Sequence, residues 1–169
     1  VMERAKEEGL SQTVQRCAKV DEIPFDFRRR RMSVAVREET GEVLLITKGA
    51  VEEMLRISSR AECGGEEELL TEDKKRRILE MARQLNRQGM RVLGVAFKRI
   101  PAFKETFSAE DETDMTLIGC LAFLDPPKES TAEAVRMLRR AGVKIKVLTG
   151  DNEKTAACVC RKVGIPSEK

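Results

Sequence analysis

The tripeptide Thr149, Gly150 and Asp151, within the stretch VLTGDN, has the residue types of a phosphate-binding site. A threonine hydroxyl can donate to a phosphate oxygen, glycine lets the backbone come close, and an aspartate can hold a metal-bound water. An apolar run precedes the tripeptide and a helical pattern follows it, which predicts a strand-to-helix edge where α/β folds bind ligands. A tight turn with an N-cap aspartate has the same residues, so the tripeptide alone assigns no function.

The densest positive charge of the chain is a run of four arginines, Arg28 to Arg31, in the stretch PFDFRRRRMSV. A basic cluster of this kind is typical of nucleic-acid-binding patches. The whole chain, however, has 32 basic and 29 acidic residues and a formal net charge of +3. A general nucleic-acid binder needs a clear excess of lysine and arginine over one face. We therefore interpret the cluster as having a local role rather than as a general nucleic-acid-binding surface.

A lysine and a glycine, Lys48 and Gly49, follow each other at the end of a predicted strand. They place an ammonium group beside unobstructed backbone, which suits a triphosphate. Arg91 opens another strand pattern, where a single arginine is more often a solvated edge residue than a ligand. The sequence has no Walker phosphate-binding loop, and its one tempting nucleophile string, DETDM at 111–115, lies in a charged loop before a strand. The residues therefore indicate a chain that holds a phosphate donor without transferring the phosphate.

The elements that must position these residues are predicted from hydrophobic periodicity. Alternation over 32–37, followed by the turn signal EETGE and a return strand over 43–48, predicts a β-hairpin, and 91–97 and 115–124 predict two further strands. Helical patterns in GAVEEMLRIS and after Thr71, with the polar loop SRAECGGEEELL between them, complete an antiparallel α+β domain over 1–124.

The chain changes character at DPPK, residues 125–128, because two prolines stop the preceding strand. Ser130 and Glu133 have capping-box spacing at the start of a helix, VKIKVLTGD predicts a strand, and a last helix follows over about 153–163. This order is half of a parallel α/β sheet, and the ~45 residues are too few to form such a sheet alone. We expect one complete domain, 1–124, and a fragment of a second, 125–169.

Membrane crossing is not expected of this chain. Its longest apolar run, MTLIGCLAFL, has ten residues and predicts a buried strand, whereas a membrane helix needs about 20. No signal peptide opens the chain, and five cysteines in no disulfide spacing indicate a reducing compartment. The chain is expected to be cytosolic, although it could belong to a membrane protein.

In order, these stretches resemble the cytoplasmic nucleotide-binding region of P-type cation-transporting ATPases. The strings that carry the resemblance are PFDFRRRRMSV, LLITKGAVEEML, GMRVLGVAFKRI and FLDPPKESTAEAVRMLRRAGVKIKVLTGDN. KVDEIPFDF and NRQGMRVLGVA are most similar to the bacterial magnesium-transporting members. The resemblance covers nearly all of the chain. It implies a nucleotide-binding domain over 1–124, followed by a hinge and an incomplete phosphorylation domain of the haloacid-dehalogenase type over 125–169.

The resemblance also implies roles for individual residues. Phe25 would stack on adenine, and Arg30, or next Arg29, would replace a lysine that the family places near the nucleotide. Because strand neighbours point to opposite faces, at least one of the four arginines should be solvated or ion-paired. Phe27 could share the face of Phe25 or pack in the core, and we favour the core. The implied nucleotide-binding set is Phe25, Arg29, Arg30, Met32, Lys48, Gly49 and Arg91; the hinge is Asp125, Pro126 and Pro127; and the supporting phosphate and metal region is Thr149, Gly150 and Asp151.

The implied function is to present ATP, accompanied by Mg²⁺, to an aspartate outside the chain. The family's D-K-T-G-T and G-D-G-x-N-D motifs are absent from the sequence, so the chain alone should have no turnover and no metal site of its own. Its expected partners are ATP and the remaining phosphorylation, actuator and membrane domains of one polypeptide, an integral protein of the plasma or inner membrane. Two alternatives stay open: a soluble haloacid-dehalogenase-type phosphatase, and an arginine-rich nucleic-acid-binding module.

Overall fold

A computed structural model describes residues 17–101, 103–124, 128–148 and 153–166 of the chain. Within these residues it contains seven strands, four α-helices and one 3-10 turn. In chain order they are β1 (Ala18–Asp26), β2 (Arg31–Arg37), β3 (Val43–Ala50), α1 (Val51–Ile57), β4 (Ser58–Cys63), β5 (Glu66–Leu69), α2 (Glu72–Arg87), β6 (Met90–Ile100), the 3-10 turn (Ala109–Asp111), β7 (Met115–Leu124), α3 (Thr131–Arg140) and α4 (Glu153–Lys162).

The seven strands form one sheet in the order β1-β2-β3-β6-β7-β4-β5. The α+β class is confirmed, but the sheet is mixed rather than antiparallel throughout, because β4 and β7 are parallel. Parallel neighbours require a long crossover connection. Here that connection contains β5, α2 and β6, so the local pattern of either strand could not reveal the pairing.

The hairpin predicted from alternation is confirmed as β2 and β3. Arg37 pairs with Val43 next to the turn, and Arg31 pairs with Gly49 at the far end. The inward side chains include Ala35, Val43 and Leu45, all fully buried. Helix α1 begins directly after β3 and buries Val51, Met54 and Leu55. These residues belong to the hydrophobic core, on or directly after the two strands that contain Met32, Lys48 and Gly49.

A second hairpin, β4 and β5, was predicted as a loop. It turns at Gly64 and Gly65, whose φ angles of 62° and 88° are left-handed. Glycine adopts that conformation without the steric cost that other residues incur. All four residues of β5 are exposed, so the strand lacks the apolar alternation from which hairpins are recognised. The loop prediction was therefore wrong.

The chain divides into two compact units. The described residues of 1–75 and 93–120 form the first, and those of 76–92 and 121–169 form the second. The first unit contains Phe25, the arginine run and Lys48, whereas Arg91 belongs to the second.

Two predictions in the second unit were wrong. Ser130 makes no side-chain capping hydrogen bond, because its own backbone is already helical. Residues 143–148 form no strand, and Leu148 is 94% exposed. A strand requires a neighbour for its backbone hydrogen bonds, and among the described residues none lies beside this segment. Helix α4, in contrast, is present as predicted.

The apolar run at 115–124 is a strand, as predicted. Among residues 115–123, whose burial the structure describes, Met115, Thr116 and Leu117 are buried, whereas Ile118 and Leu121 are exposed. In the described segments, no helix combines the length and apolarity required to span a membrane.

Candidate functional site

An exposed aromatic pair marks the end of β1. Phe25 is 52% exposed and Phe27 is 89% exposed, and their rings meet edge to face with centroids 5.3 Å apart. The prediction that Phe27 packs in the core was wrong. Strand β1 ends at Asp26, so Phe27 lies in the following turn and strand alternation does not apply to it. The pair presents apolar ring surface to solvent, as base-stacking sites do.

The turn that connects β1 to β2 is held by Asp26. Its side-chain Oδ1 accepts the backbone N–H groups of Arg28 at 2.6 Å and Arg29 at 3.1 Å. Its carbonyl oxygen accepts the N–H of Arg30 at 2.6 Å. The two hydrogen bonds to the carboxylate, with Arg29 the larger cause, lower the pKa of Asp26. The turn is therefore closed by its own aspartate.

A buried carboxylate, Glu112, binds two of the four arginines. Arg29 Nη1 donates to Glu112 Oε1 at 2.8 Å and to Oε2 at 2.6 Å, and Arg31 Nε donates to Oε2 at 2.7 Å. The Ser33 hydroxyl donates to Oε1 at 2.6 Å and contacts the Thr47 hydroxyl at 2.7 Å. Burial raises the pKa of Glu112, but the hydrogen bonds from Ser33, Arg29 and Arg31 outweigh it, and the net shift is downward. Glu112 is thus an ionised group inside the protein.

A second buried carboxylate, Glu53 of α1, binds a third arginine of the run, Arg30. Glu53 Oε1 accepts from Arg30 Nη2 at 2.7 Å, and Oε2 accepts from Arg56 Nη1 at 2.6 Å. The hydrogen bond to Glu53 raises the pKa of Arg30. The backbone of Arg30 has φ of 49°, a left-handed conformation that is uncommon for a side chain of this size.

Three of the four arginines therefore form salt bridges with Glu53 or Glu112. This confirms that at least one member of the run is ion-paired. Arg28 is exposed, and among the described residues its side chain forms no salt bridge.

Lys48 and Gly49 are consecutive residues of β3, and one is exposed to solvent while the other is buried. Lys48 is exposed and pairs in register with Met32, which is half-buried. Gly49 is buried opposite Arg31. A Cβ atom on Gly49 would lie 2.5 Å from the Arg31 Cβ and 2.7 Å from the Arg30 carbonyl oxygen. Gly49 therefore allows β2 to approach, while Lys48 presents its ammonium group to solvent.

The remaining predicted residues are Arg91, the hinge and the phosphate region. Arg91 is exposed on β6, in the second unit. The predicted hinge and phosphate region, Asp125, Pro126, Pro127, Thr149, Gly150 and Asp151, lies outside the described residues.

A family model for the P-type ATPase cytoplasmic domain N matches residues 2–130. The chain belongs to this P-type ATPase family. The resemblance found in the motifs is thereby confirmed, and residues 25–49 and Glu112 fall inside the matched segment.

Transport ATPases are the relatives of this P-type ATPase domain. It is 46% identical over 98% of its length to the magnesium-transporting ATPase, P-type 1, of Escherichia coli K12. It is 44% identical over the same share to the enzyme of that name from Salmonella typhimurium strain 14028s. A calcium-transporting ATPase of Listeria monocytogenes is 33% identical over 85% of the chain. The chain spans only 16 to 18% of the length of these curated relatives.

Two residues of the P-type ATPase domain were missed at the level of sequence: Glu53 and Glu112. A run of four arginines beside a strand predicts that some acidic residues lie close to it as salt-bridge partners. The sequence therefore indicates that such partners exist. The sequence does not identify which of the 29 acidic residues is the partner, because Glu112 is 83 positions from Arg29. The string DETDM, which contains Glu112, offers a candidate nucleophile and gives no sign of an arginine partner.

Proposed function

We propose that the chain binds ATP and presents the γ-phosphate to an aspartate outside the chain, within a magnesium-transporting P-type ATPase. The observation that carries this proposal is 46% identity over 98% of the chain with a relative named as a magnesium transporter. The calcium-transporting relative is less similar, at 33% over 85% of the chain, which favours magnesium as the transported ion.

The proposed base contact is Phe25. Its ring is half exposed, and the edge contact with Phe27 limits the orientations that it can adopt. A base stacked on an aromatic ring is typically worth roughly 1–3 kcal/mol. Because a stacking platform must be both accessible and held in place, the support of Phe25 by a second ring favours this role.

The proposed phosphate contact is Lys48. It is exposed on β3, where an ammonium group can meet a polyphosphate. Met32 lies opposite Lys48 in register and would supply apolar surface beside the nucleotide. Gly49 contributes by allowing β2 to lie close behind Lys48.

Arg29, Arg30 and Arg91 belong to the proposed site on the family pattern. The place of Arg91 rests on that pattern alone. Arg30 is half exposed in its salt bridge with Glu53, so a phosphate could share its guanidinium group. Arg29 is more enclosed, with 20% of its side chain exposed.

The proposed division of the chain is a nucleotide-binding domain over 1–124 and a hinge with part of a phosphorylation domain over 125–169. Asp125, Pro126 and Pro127 would let the two parts close, and Thr149, Gly150 and Asp151 would face the phosphates. Mg²⁺ would arrive as the MgATP substrate. The isolated chain would have no turnover, because the phosphorylated aspartate would lie elsewhere in one polypeptide with actuator and membrane domains, whose cytoplasmic part this chain would be.

No observation favours the soluble phosphatase or the nucleic-acid-binding module. The salt bridges of Arg29, Arg30 and Arg31 with Glu53 and Glu112 weigh against the second. A nucleic-acid patch needs basic groups that phosphates can reach, and here buried carboxylates already bind three of them.

The proposal is tested by an amide NMR titration of the 169-residue chain with MgATP, MgGTP and magnesium tripolyphosphate. The chain has no tryptophan or tyrosine, so intrinsic fluorescence offers little. We expect MgATP to shift the amides around Phe25 and Lys48, and Phe25→Ala to abolish the shifts at the base end. Equal shifts with tripolyphosphate, unchanged in Phe25→Ala, would mean an electrostatic patch without a base pocket.

A further inference from the structure

A continuous line of contacts joins the buried Glu112 to the backbone of the proposed base platform. Glu112 accepts two hydrogen bonds from Arg29 Nη1, at 2.8 and 2.6 Å. The other terminal nitrogen of Arg29, Nη2, donates to the carbonyl oxygen of Pro24 at 2.8 Å. Pro24 is directly followed by Phe25, so the guanidinium group links the buried carboxylate to the segment that carries the ring.

Three of the five N–H groups of the Arg29 guanidinium donate to protein atoms. Both of its terminal nitrogens have protein partners, and only 20% of its side chain is exposed. A phosphate that drew the guanidinium group away from these partners would leave Glu112, whose side chain is completely buried, without one of its two arginines. A buried carboxylate that loses its counter-charge is strongly unfavourable. Arg29 is therefore poorly placed to contact a nucleotide phosphate.

Glu112 is itself fixed from a second side. Arg31 Nε donates to it at 2.7 Å and Ser33 Oγ donates at 2.6 Å, and both residues belong to β2. Glu112 consequently ties the start of β2 to the end of β1. The turn that contains Arg28 to Arg30 lies between these two attachment points.

We propose that Glu112 is a positioning residue of the nucleotide site, which through Arg29 fixes the Pro24 carbonyl and hence Phe25, and that Arg29 does not contact the polyphosphate. The inference rests on the proposed function, because it assumes that Phe25 binds the base. It reassigns Arg29 from ligand contact to structural link. Within the first compact unit, the proposed phosphate contacts are then Lys48, Arg28 and the exposed side of Arg30, besides the Arg91 of the family pattern.

Three probes separate these roles: adenosine, magnesium tripolyphosphate and MgATP. If Glu112 and Arg29 act by holding Phe25, either substitution, Glu112→Gln or Arg29→Ala, should weaken the binding of adenosine and of MgATP by the same factor. We expect about tenfold, which is within the range of a base–aromatic stack. Both variants should bind tripolyphosphate within about twofold of the unmodified chain. The double variant should be no worse than either single one, because both changes break one link.

The measurement is the dissociation constant of each probe from amide NMR titration of the 169-residue chain. Matched controls are Glu110→Gln, an exposed acid two positions from Glu112, and Arg60→Ala, an exposed arginine of the same compact unit. Both controls should bind all three probes normally. A general loss of structure would weaken the binding of tripolyphosphate as well. A selective loss of adenosine binding is therefore a result that unfolding does not produce.

Arg29→Lys keeps the proposal testable should Glu112→Gln or Arg29→Ala fail to fold. A lysine can still neutralise Glu112 but lacks the forked geometry needed to reach the Pro24 carbonyl at the same time. Arg29→Lys should therefore weaken the binding of adenosine and leave the binding of tripolyphosphate unchanged.

Two results would overturn the inference, and they differ from a failure of the proposed function. In the first, Arg29→Ala or Arg29→Lys weakens tripolyphosphate as much as MgATP, which would make Arg29 a phosphate contact. In the second, the unmodified chain binds adenosine and the variants bind it equally well. If the unmodified chain binds neither adenosine nor MgATP, the proposed function itself is wrong.

Discussion

Gly49→Ala is a severe test of how β2 and β3 pack beneath the proposed site. The added methyl carbon would lie 2.5 Å from the Arg31 Cβ, 2.9 Å from the Arg31 Cα and 2.7 Å from the Arg30 carbonyl oxygen. Favourable carbon–carbon contacts are about 3.5–4.0 Å. All three atoms belong to the backbone or lie next to it, so no side-chain rotation can relieve the overlap. The two strands must move apart by about 1 Å.

The expected cost follows from two contributions. Overpacking of this kind typically costs about 1–3 kcal/mol. Separation of the strands would also stretch the hydrogen bond from the Ala50 N–H to the Arg30 carbonyl oxygen, now 3.0 Å, and a net hydrogen bond contributes about 1 kcal/mol. We expect the free energy of unfolding to fall by about 3 kcal/mol, which for a chain of this size lowers Tm by roughly 6–12 °C.

The assay is thermal and urea unfolding followed by far-ultraviolet circular dichroism, with Gly94→Ala as the matched variant. Gly94 is the register partner of Gly49 on β6. A Cβ there would meet the Met54 side chain, at 2.8 Å from Cβ and 2.9 Å from Cγ. The two closest atoms at Gly94 belong to one side chain, at 2.8 and 2.9 Å, whereas those at Gly49 are closer, at 2.5 and 2.7 Å, and include a backbone carbonyl oxygen of a paired strand. Gly94→Ala should therefore reduce the free energy of unfolding by less than Gly49→Ala. A smaller loss for Gly49→Ala than for Gly94→Ala, or one below about 1 kcal/mol, would refute the packing argument.

Two further predictions concern Glu112 and Phe27. Because the pKa of Glu112 is lowered from its ordinary value of 4.5, its charge stabilises the fold above about pH 4.5 and that contribution is lost as the pH falls through the lower folded value. The urea midpoint should therefore fall on acidification below pH 4.5, and less steeply in Glu112→Gln; an identical slope would exclude Glu112 as a cause. Phe27→Ala should change the free energy of unfolding by no more than about 0.5 kcal/mol, since the ring is 89% exposed, whereas Ile23→Ala, at a site 7% exposed, should cost about 2–5 kcal/mol. Equal losses in thermal unfolding would place Phe27 in the core after all.

Local patterns predicted the elements whose residues alternate or repeat regularly. Strand β2 has apolar residues at every second position, Met32, Val34 and Val36, and α2 follows a helical pattern behind Thr71. The hairpin of β4 and β5 escaped because its residues are polar and its second strand is fully exposed. The parallel pairing of β4 with β7 escaped because it joins segments that are distant along the chain.

The exposed residues of the candidate site could be predicted from the sequence. The buried residues that hold them in place could not. Phe25 and Lys48 stand in recognisable strings, and both are exposed in the structure. The exposure of Phe27 depends on where β1 ends, and a boundary shift of one or two residues reverses its expected environment. The bonds from Arg29 to Glu112 cross 83 residues, and nothing in the local sequence distinguishes that glutamate from its neighbours.

The most direct test of the central claim is whether adenine stacks on Phe25. Intermolecular nuclear Overhauser effects between the adenine H2 and H8 protons of MgATP and the aromatic protons of the 169-residue chain would decide it. Six phenylalanines are the only aromatic residues of the chain, and Phe25→Ala identifies the signals that belong to Phe25. The account predicts effects to the Phe25 ring that vanish in the variant. Bound MgATP whose adenine protons show effects only to another phenylalanine, or to none, would contradict it.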